Sequence, residues 1–335
     1  MLLVRLPPEI LTQIFDHIGS PFFHQDLGRL TVCQRWADFA LRTYFKHITL
    51  SHRTLRSLVA SGLTGSPSPL RDWLETLDLG LQEFHSQPPP SHPTSNEAPR
   101  GTMANTQMKI LKDDLAQLAV VARQSQIMHT LRIRARIYCS AEPPRDCLPL
   151  QTMHDFLSAA NLSVLVLDLP GLCPNSSEQQ SSDQHLCPAI GAVLGTLRTI
   201  HLRMRSICPD VLRPQQSNHN LLLRTVVINL SLDADLLGTT SAAHSTRCGS
   251  QAGGILQLSA DIQRQAEALA TRMSSPKIVR ILTHSLADFQ TLSLDVLTGR
   301  TMILDEDMAW DEDGEAIEDI SEPESEISSV SSVGA

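Results

Sequence analysis

One frame recurs along this 335-residue chain and constrains its fold more than any other feature: an apolar residue, two others, an apolar residue, one other, an apolar residue. It appears as Leu74-Leu77-Leu79, Met128-Leu131-Ile133, Leu162-Leu165-Leu167, Leu197-Ile200-Leu202, Leu223-Val226-Ile228 and Phe289-Leu292-Leu294. The end of each frame has period two, the signature of a short strand with one buried face. Between the frames the spacing turns helical. In "MKILKDDLAQLAVVARQSQI" the side chains of Ile110, Leu111, Leu115, Leu118 and Ala122 share one side, and "ILQLSADIQRQAEALATRM" reads as a longer helix from about Gly254 to Met273. Strand and helix units that bury their leucines only against their neighbours stack into a solenoid. The gaps between central frame residues are 54, 34, 35, 26 and 66, so the array is irregular and carries insertions. A compact mixed domain around a parallel sheet uses the same alternation and is the competing architecture. The fold class is α/β on either reading.

Composition agrees with a layered aliphatic core, since 41% of residues are hydrophobic but only 4% are aromatic. Twelve of the 36 acids lie in residues 305–335, which hold no Lys or Arg, so residues 1–304 carry 24 acids against 27 bases. That near-neutral body gives no electrostatic case for nucleic acid, and no stretch approaches the roughly 20 apolar residues of a membrane span. Seven cysteines without a CxxC pair, and an opening "MLLVRLPPEI" too interrupted for a secretory leader, point to a reduced compartment, cytoplasmic or nuclear. The cysteines then read as small core residues.

Chemistry is sparse. His185-x-Cys187 and His244-x3-Cys248 come nearest to ligand pairs, but each borders a polar loop and neither has a second pair at zinc-site spacing, so no metal site and no cofactor is expected. There is no GxSxG elbow, phosphate-cradling glycine loop or HExxH, and Ser274-x-x-Lys277 is interrupted by Pro276. The chain is expected not to be an enzyme.

The first fifty residues carry the most specific signal. "LPPE" is a helix start, with proline in the first turn and Glu9 facing the positive end of the helix dipole. Ile10, Leu11, Ile14, Phe15 and Ile18 then form one apolar face, closed by Gly19 and Pro21, and a second helical segment is expected from about Asp26 through Ala40. Helices this short bury little among themselves, and their surplus of apolar side chains suits either a hairpin packed on its own domain or a partner. The ordered set Leu6-Pro7-x-Glu9-Ile10-Leu11, Ile14-Phe15, Leu30 and Val32-Cys33-x-Arg35-Trp36 resembles the F-box, the module that binds the Skp-family adaptor of cullin-RING ubiquitin ligases. With its repeat-like remainder, the chain looks like a leucine-rich-repeat F-box substrate receptor. The resemblance implies that Leu6, Pro7, Ile10, Leu11, Ile14, Val32 and Trp36 supply the adaptor contact or the core beneath it. It also implies a cullin reached through the adaptor, an unidentified target protein, and ligase chemistry residing in other subunits. A scaffold that binds the adaptor without ubiquitin transfer is the alternative.

The expected organisation is an all-helical F-box at 1–50, the start of the repeat region at 51–84, a proline-rich linker at 85–102, a recognition region at 103–304 and an acidic tail at 305–335. The tail is expected to be disordered from about Asp311, with Trp310 and Met308 placed to dock on the last repeat. Residues 173–185 and 238–254 are polar insertions. In "LRIRARIY" Leu131, Ile133 and Ala135 point inward, which leaves Arg132, Arg134 and Arg136 on the open face. Later frames add Asp168, His201, Arg203 and Arg205, then Asn229 and Asp295. This surface is the candidate for target binding, its arginine forks suited to an acidic or phosphorylated segment. A solvated face that discourages aggregation has the same composition.

Overall fold

The structure is a computed structural model that describes residues 6–65, 68–81, 101–135, 148–170, 185–215, 220–232, 244–249, 254–285, 290–305 and 307–317. It begins with helix α1 (Pro8–Ile18), where Pro8 takes the first position and Gly19, at φ 76°, ends the helix by donating its N–H to Phe15 O at 2.9 Å. A side chain at that φ is disfavoured, which is why glycine stands there. Pro21 starts a helix where the sequence suggested only an end: it sits in the first turn of α2 (Ser20–Gln25). The expected second helix divides into a 3-10 turn (Leu27–Leu30) and α3 (Gln34–Lys46), because Cys33 is extended and caps α3, its Sγ accepting from Trp36 N. Leu11, Phe15, Phe23 and Ala40 form the small core of this unit, with Trp36 edge-on to Phe15 at 4.6 Å.

No linker separates these helices from the next layer. Strand β1 (His47–Ser51) follows α3 directly and pairs in parallel with β2 (Thr76–Gly80), after α4 (His52–Ala60) and α5 (Pro69–Trp73). Phe45 stacks on Trp73 at 6.4 Å, and Tyr44 packs on the cores of both layers. The helical unit is therefore seated on the first edge of the sheet.

The parallel sheet grows in chain order. After α6 (Gly101–Gln124) comes β3 (Thr130–Arg134), after α7 (Leu150–Leu157) comes β4 (Val164–Leu169), and after α8 (Cys187–Val193) comes β5 (Thr199–Met204). A short strand β6 (Ser206–Ile207) and a 3-10 turn (Pro209–Leu212) lead to β7 (Thr225–Asn229); β8 (Thr246–Arg247) pairs with β6, and α9 (Ile255–Ala270) precedes β9 (Ile278–His284). Strands β10 (Thr291–Asp295), β11 (Thr301–Leu304) and β12 (Glu315–Ala316) add antiparallel to the far edge, giving a ten-stranded sheet among the described residues.

Register aligns the frames. Ile48, Leu77, Leu131, Leu165, Ile200, Val226 and Val279 form one ladder, and Leu50, Leu79, Ile133, Leu167, Leu202, Ile228 and Ile281 form the next. All fourteen are buried against α4 to α9, which lie on one face of the sheet. Burying an aliphatic side chain fully is worth about 1.5–3 kcal/mol, so these two rows dominate the stability of the layer. The sheet corrects two assignments. Phe289-Leu292-Leu294 is no parallel unit, since β10 runs antiparallel and leaves Leu292 and Leu294 only half-buried; Phe289 lies outside the described residues. Two parallel strands went unread: Phe45-Ile48-Leu50, inside the helical motif, and β9, whose frame opens on Pro276.

The insertions at 85–102 and 173–185 lie almost wholly outside the described residues, apart from the start of α6 at Gly101 and from His185. Within 238–254 the expected loop contains β8. The tail also differs from expectation, because residues 307–317 fold back on the sheet and end in β12.

Candidate functional site

Two surfaces present side chains suited to binding. The first belongs to α1, the 3-10 turn and α3. Leu11 is core at 2% exposure and Trp36 is half-buried, its Nε1 donating to Arg29 O at 2.6 Å. Leu6 and Ile14 are half-buried, while Pro7, Ile10 and Val32 lie open to solvent. Arg35 reaches across to donate to Leu6 O at 2.8 Å and so fixes the chain entering α1. Leu27, which periodicity does not distinguish within its helical segment, is 56% exposed. Apolar side chains left in water on so small a unit are suited to a contact with a partner. The sequence-derived set therefore divides into an outer layer of Pro7, Ile10 and Val32, joined by Leu27, and an inner layer of Leu11 and Trp36.

The second surface is the face of the sheet opposite the helices. In one cross-strand row stand Asp78, Arg132, Val166, His201, Val227 and Arg280; in the next stand Arg134, Asp168, Arg203, Asn229 and Leu282. Arg134 pairs with Asp78 at 2.6 Å. Arg203 and Asp168 form a buried two-point pair, Nε to Oδ1 at 2.6 Å and Nη2 to Oδ2 at 2.8 Å. Arg132, Arg134, Asp168, His201 and Arg203 thus come together, as the alternation predicts. Arg205 does not: it follows the end of β5 and its carbonyl binds Thr246 beside β6. Arg136 lies outside the described residues. Asn229 is turned to local use, accepting from Ser231 N at 2.9 Å, and Asp295 caps its own hairpin through Leu297 N and Thr298 Oγ1.

The chain covers this face with its own acidic segment. The Trp310 ring lies 4.9 Å from the Arg203 guanidinium carbon, Asp311 Oδ2 is 3.9 Å from His201 Nε2, and Arg280 donates to Glu312 O and Asp313 Oδ1. Met308 and Trp310 pack on Val227, Leu282 and Leu304, so the expected docking of this pair is present. Residues 311–317 are ordered, against the expected disorder from Asp311, because a buried arginine, Arg280 at 4% exposure, requires these carbonyl and carboxylate acceptors; residues 318–335 lie outside the described residues. A cleft of about 350 Å³ remains between the strap and Arg132, Arg134 and His201. Burial pushes the His201 imidazole below its ordinary range, with Asp311 opposing and Arg132 reinforcing the shift.

A third cluster lies away from both surfaces. His185, Cys187, Cys208 and Cys248 bring one ligand atom each to within 4.8 Å of the others. Sequence spacing pairs His185 with Cys187 and His244 with Cys248 and reads Cys208 as a core residue; the structure instead groups His185, Cys187, Cys208 and Cys248, without His244.

Comparison with known families places residues 3–51 within the F-box-like family, and the chain carries an F-box-like domain there. The match covers the three helices and the whole of β1. F-box domains generally bind Skp-family adaptors, which accords with the exposed apolar set. No curated protein matches the chain. Among the described residues, no helix is long and apolar enough to cross a membrane.

Proposed function

We propose that this chain is the substrate-receptor subunit of a Skp/cullin/F-box ubiquitin ligase, itself non-catalytic. The F-box-like domain docks on the adaptor through Pro7, Ile10, Leu27 and Val32, and the sheet presents a target on its open face. The carrying observation is the exposure of those side chains on a domain fused to the sheet through β1. Such fusion supports the reading, because a receptor accelerates ubiquitin transfer by holding its target at a fixed place, and proximity is lost across a loose joint. An irregular leucine-rich solenoid is the architecture we assign to the sheet and its one-sided helices, in view of seven parallel strands following in chain order.

The target segment we infer to be acidic with an aromatic anchor. Supporting this is the internal strap, in which Trp310, Asp311 and Asp313 meet Arg203, His201 and Arg280. A target reading the same groups displaces the strap or extends along the cleft beside it.

The test is turnover. In cells, the Ile10→Asp, Val32→Asp chain should lose adaptor binding and stabilise whichever proteins bind the sheet. If those proteins turn over unchanged while adaptor binding is lost, the chain is a scaffold. Turnover activity of the purified chain without other subunits would make it an enzyme instead.

A further inference from the structure

We propose that His185, Cys187, Cys208 and Cys248 bind one zinc ion, as a structural site joining the exits of three neighbouring strands. The site is independent of the adaptor and target surfaces.

The four ligand atoms, all within 4.8 Å of one another, stand close enough to converge on one ion. Cys187 Sγ and Cys248 Sγ are 3.7 Å apart, and Cys208 Sγ is 3.4 Å from His185 Nε2. Around a tetrahedral zinc, with Zn–S about 2.3 Å and Zn–N about 2.0–2.1 Å, ligand atoms stand roughly 3.5–3.8 Å apart. A disulfide needs about 2.0 Å between sulfurs, so the separation fits a shared ion and not a bond. Three thiolates and an imidazole select zinc over calcium or magnesium, which take oxygen ligands.

Backbone elements build the site from distant sequence. The exit of β4 returns through His185 to α8, whose first residue is Cys187. The exit of β5 passes through β6 to Cys208, and the exit of β7 returns through β8 to Cys248. Pairing of β6 with β8, extended by Cys248 N to Ile207 O, sets Cys208 beside Cys248. Helix α8 is pressed on the following 3-10 turn so closely that a Cβ on Gly191 would stand 2.6 Å from the carbonyls of Asp210 and Arg213. Glycine there brings Cys187 to the other two sulfurs. The nearby Asp210 carboxylate, 3.8 Å from Cys208 Sγ, is held by Arg213 at 3.0 Å.

Burial shields the cluster from solvent, as suits a structural ion. Cys187 is 1% and Cys208 6% exposed. A divalent ion allows all three thiols to ionise, their protons passing to solvent. The ion then anchors the ends of two polar insertions that the hydrophobic ladders do not reach.

The experiment measures zinc in the full chain purified under reducing, chelator-free conditions, with Cys208→Ser, Cys248→Ser and His185→Cys variants. One zinc per intact chain is expected, with at least a tenfold loss in the two serine variants and retention in His185→Cys, which keeps four soft ligands. Cobalt(II) in place of zinc should give the visible bands of a tetrahedral thiolate site in the intact chain and in His185→Cys. Should the serine variants fail to fold, the intact chain and His185→Cys still decide. Absence of zinc and of cobalt bands from the intact chain overturns the proposal. So does equal zinc in every variant, or a Cys187–Cys248 disulfide found by mass spectrometry.

Discussion

At the scale of single residues, a buried ion pair braces the open face. Asp168 and Arg203 are each about 5–6% exposed and meet at two points. Removing one partner of such a pair costs about 3–5 kcal/mol, whereas replacing both by apolar residues is often close to neutral. Asp168→Ala should therefore lower stability by that amount in urea unfolding, and Asp168→Leu, Arg203→Met should recover most of it. A loss below about 1 kcal/mol for the single variant would show that the pair is not closed in solution. His201 gives a second expectation. Its imidazole titrates below the ordinary 6.5 in the folded chain, chiefly through burial, so the unfolded chain binds more protons in that window. Stability is then complete above about pH 6.5 and is lost as pH falls from there towards the lower folded value. His201→Gln should flatten that part of the profile, and an unchanged slope would mean other groups set it. The alternation of side chains made Arg132, Arg134, Asp168, His201 and Arg203 legible. It could not tell an arginine free to meet a target from one spent on Asp168, nor show that Asn229 and Asp295 serve their own turns, because pairing across strands is absent from the linear pattern.

At the scale of elements, the frame was legible wherever a leucine or methionine opened it. Leu74, Met128, Leu162, Leu197 and Leu223 are all buried, and each leads into a parallel strand. It failed at the two ends of the parallel array. Phe45-Ile48-Leu50 sits where a helical motif already accounted for the apolar residues, and Pro276 disguises the frame of β9. The gap of 66 before Leu292 was a sign that a strand lay unread between. The strap of residues 307–317 was hidden by composition, since acids normally keep a chain in water; it folds because Arg280, Arg203 and His201 await it on the sheet. A chain shortened after Leu304 should bind a peptide of residues 305–318 in trans, at least tenfold tighter than the intact chain does. Fluorescence anisotropy of the labelled peptide checks this, and equal affinities would mean that the strap leaves the face accessible.

At the scale of the whole molecule, an F-box-like domain and a ten-stranded sheet share β1, so a partner on the outer helices is placed at a set distance from anything held on the open face. The sequence carried the domain through an ordered set of residues. The fusion was not legible, because β1 belongs to the family match and to the sheet at once. In the proposed function that partner docks on Pro7, Ile10, Leu27 and Val32. This docking is tested most directly by co-purifying the Skp-family adaptor with the intact chain and with the Ile10→Asp, Val32→Asp variant, their folding compared by circular dichroism. Anchors at such contacts cost roughly 2 kcal/mol or more each when lost, so the intact chain should hold the adaptor and the folded variant should lose at least a hundredfold in affinity. Equal adaptor recovery by both, or none by a folded intact chain, would contradict the account.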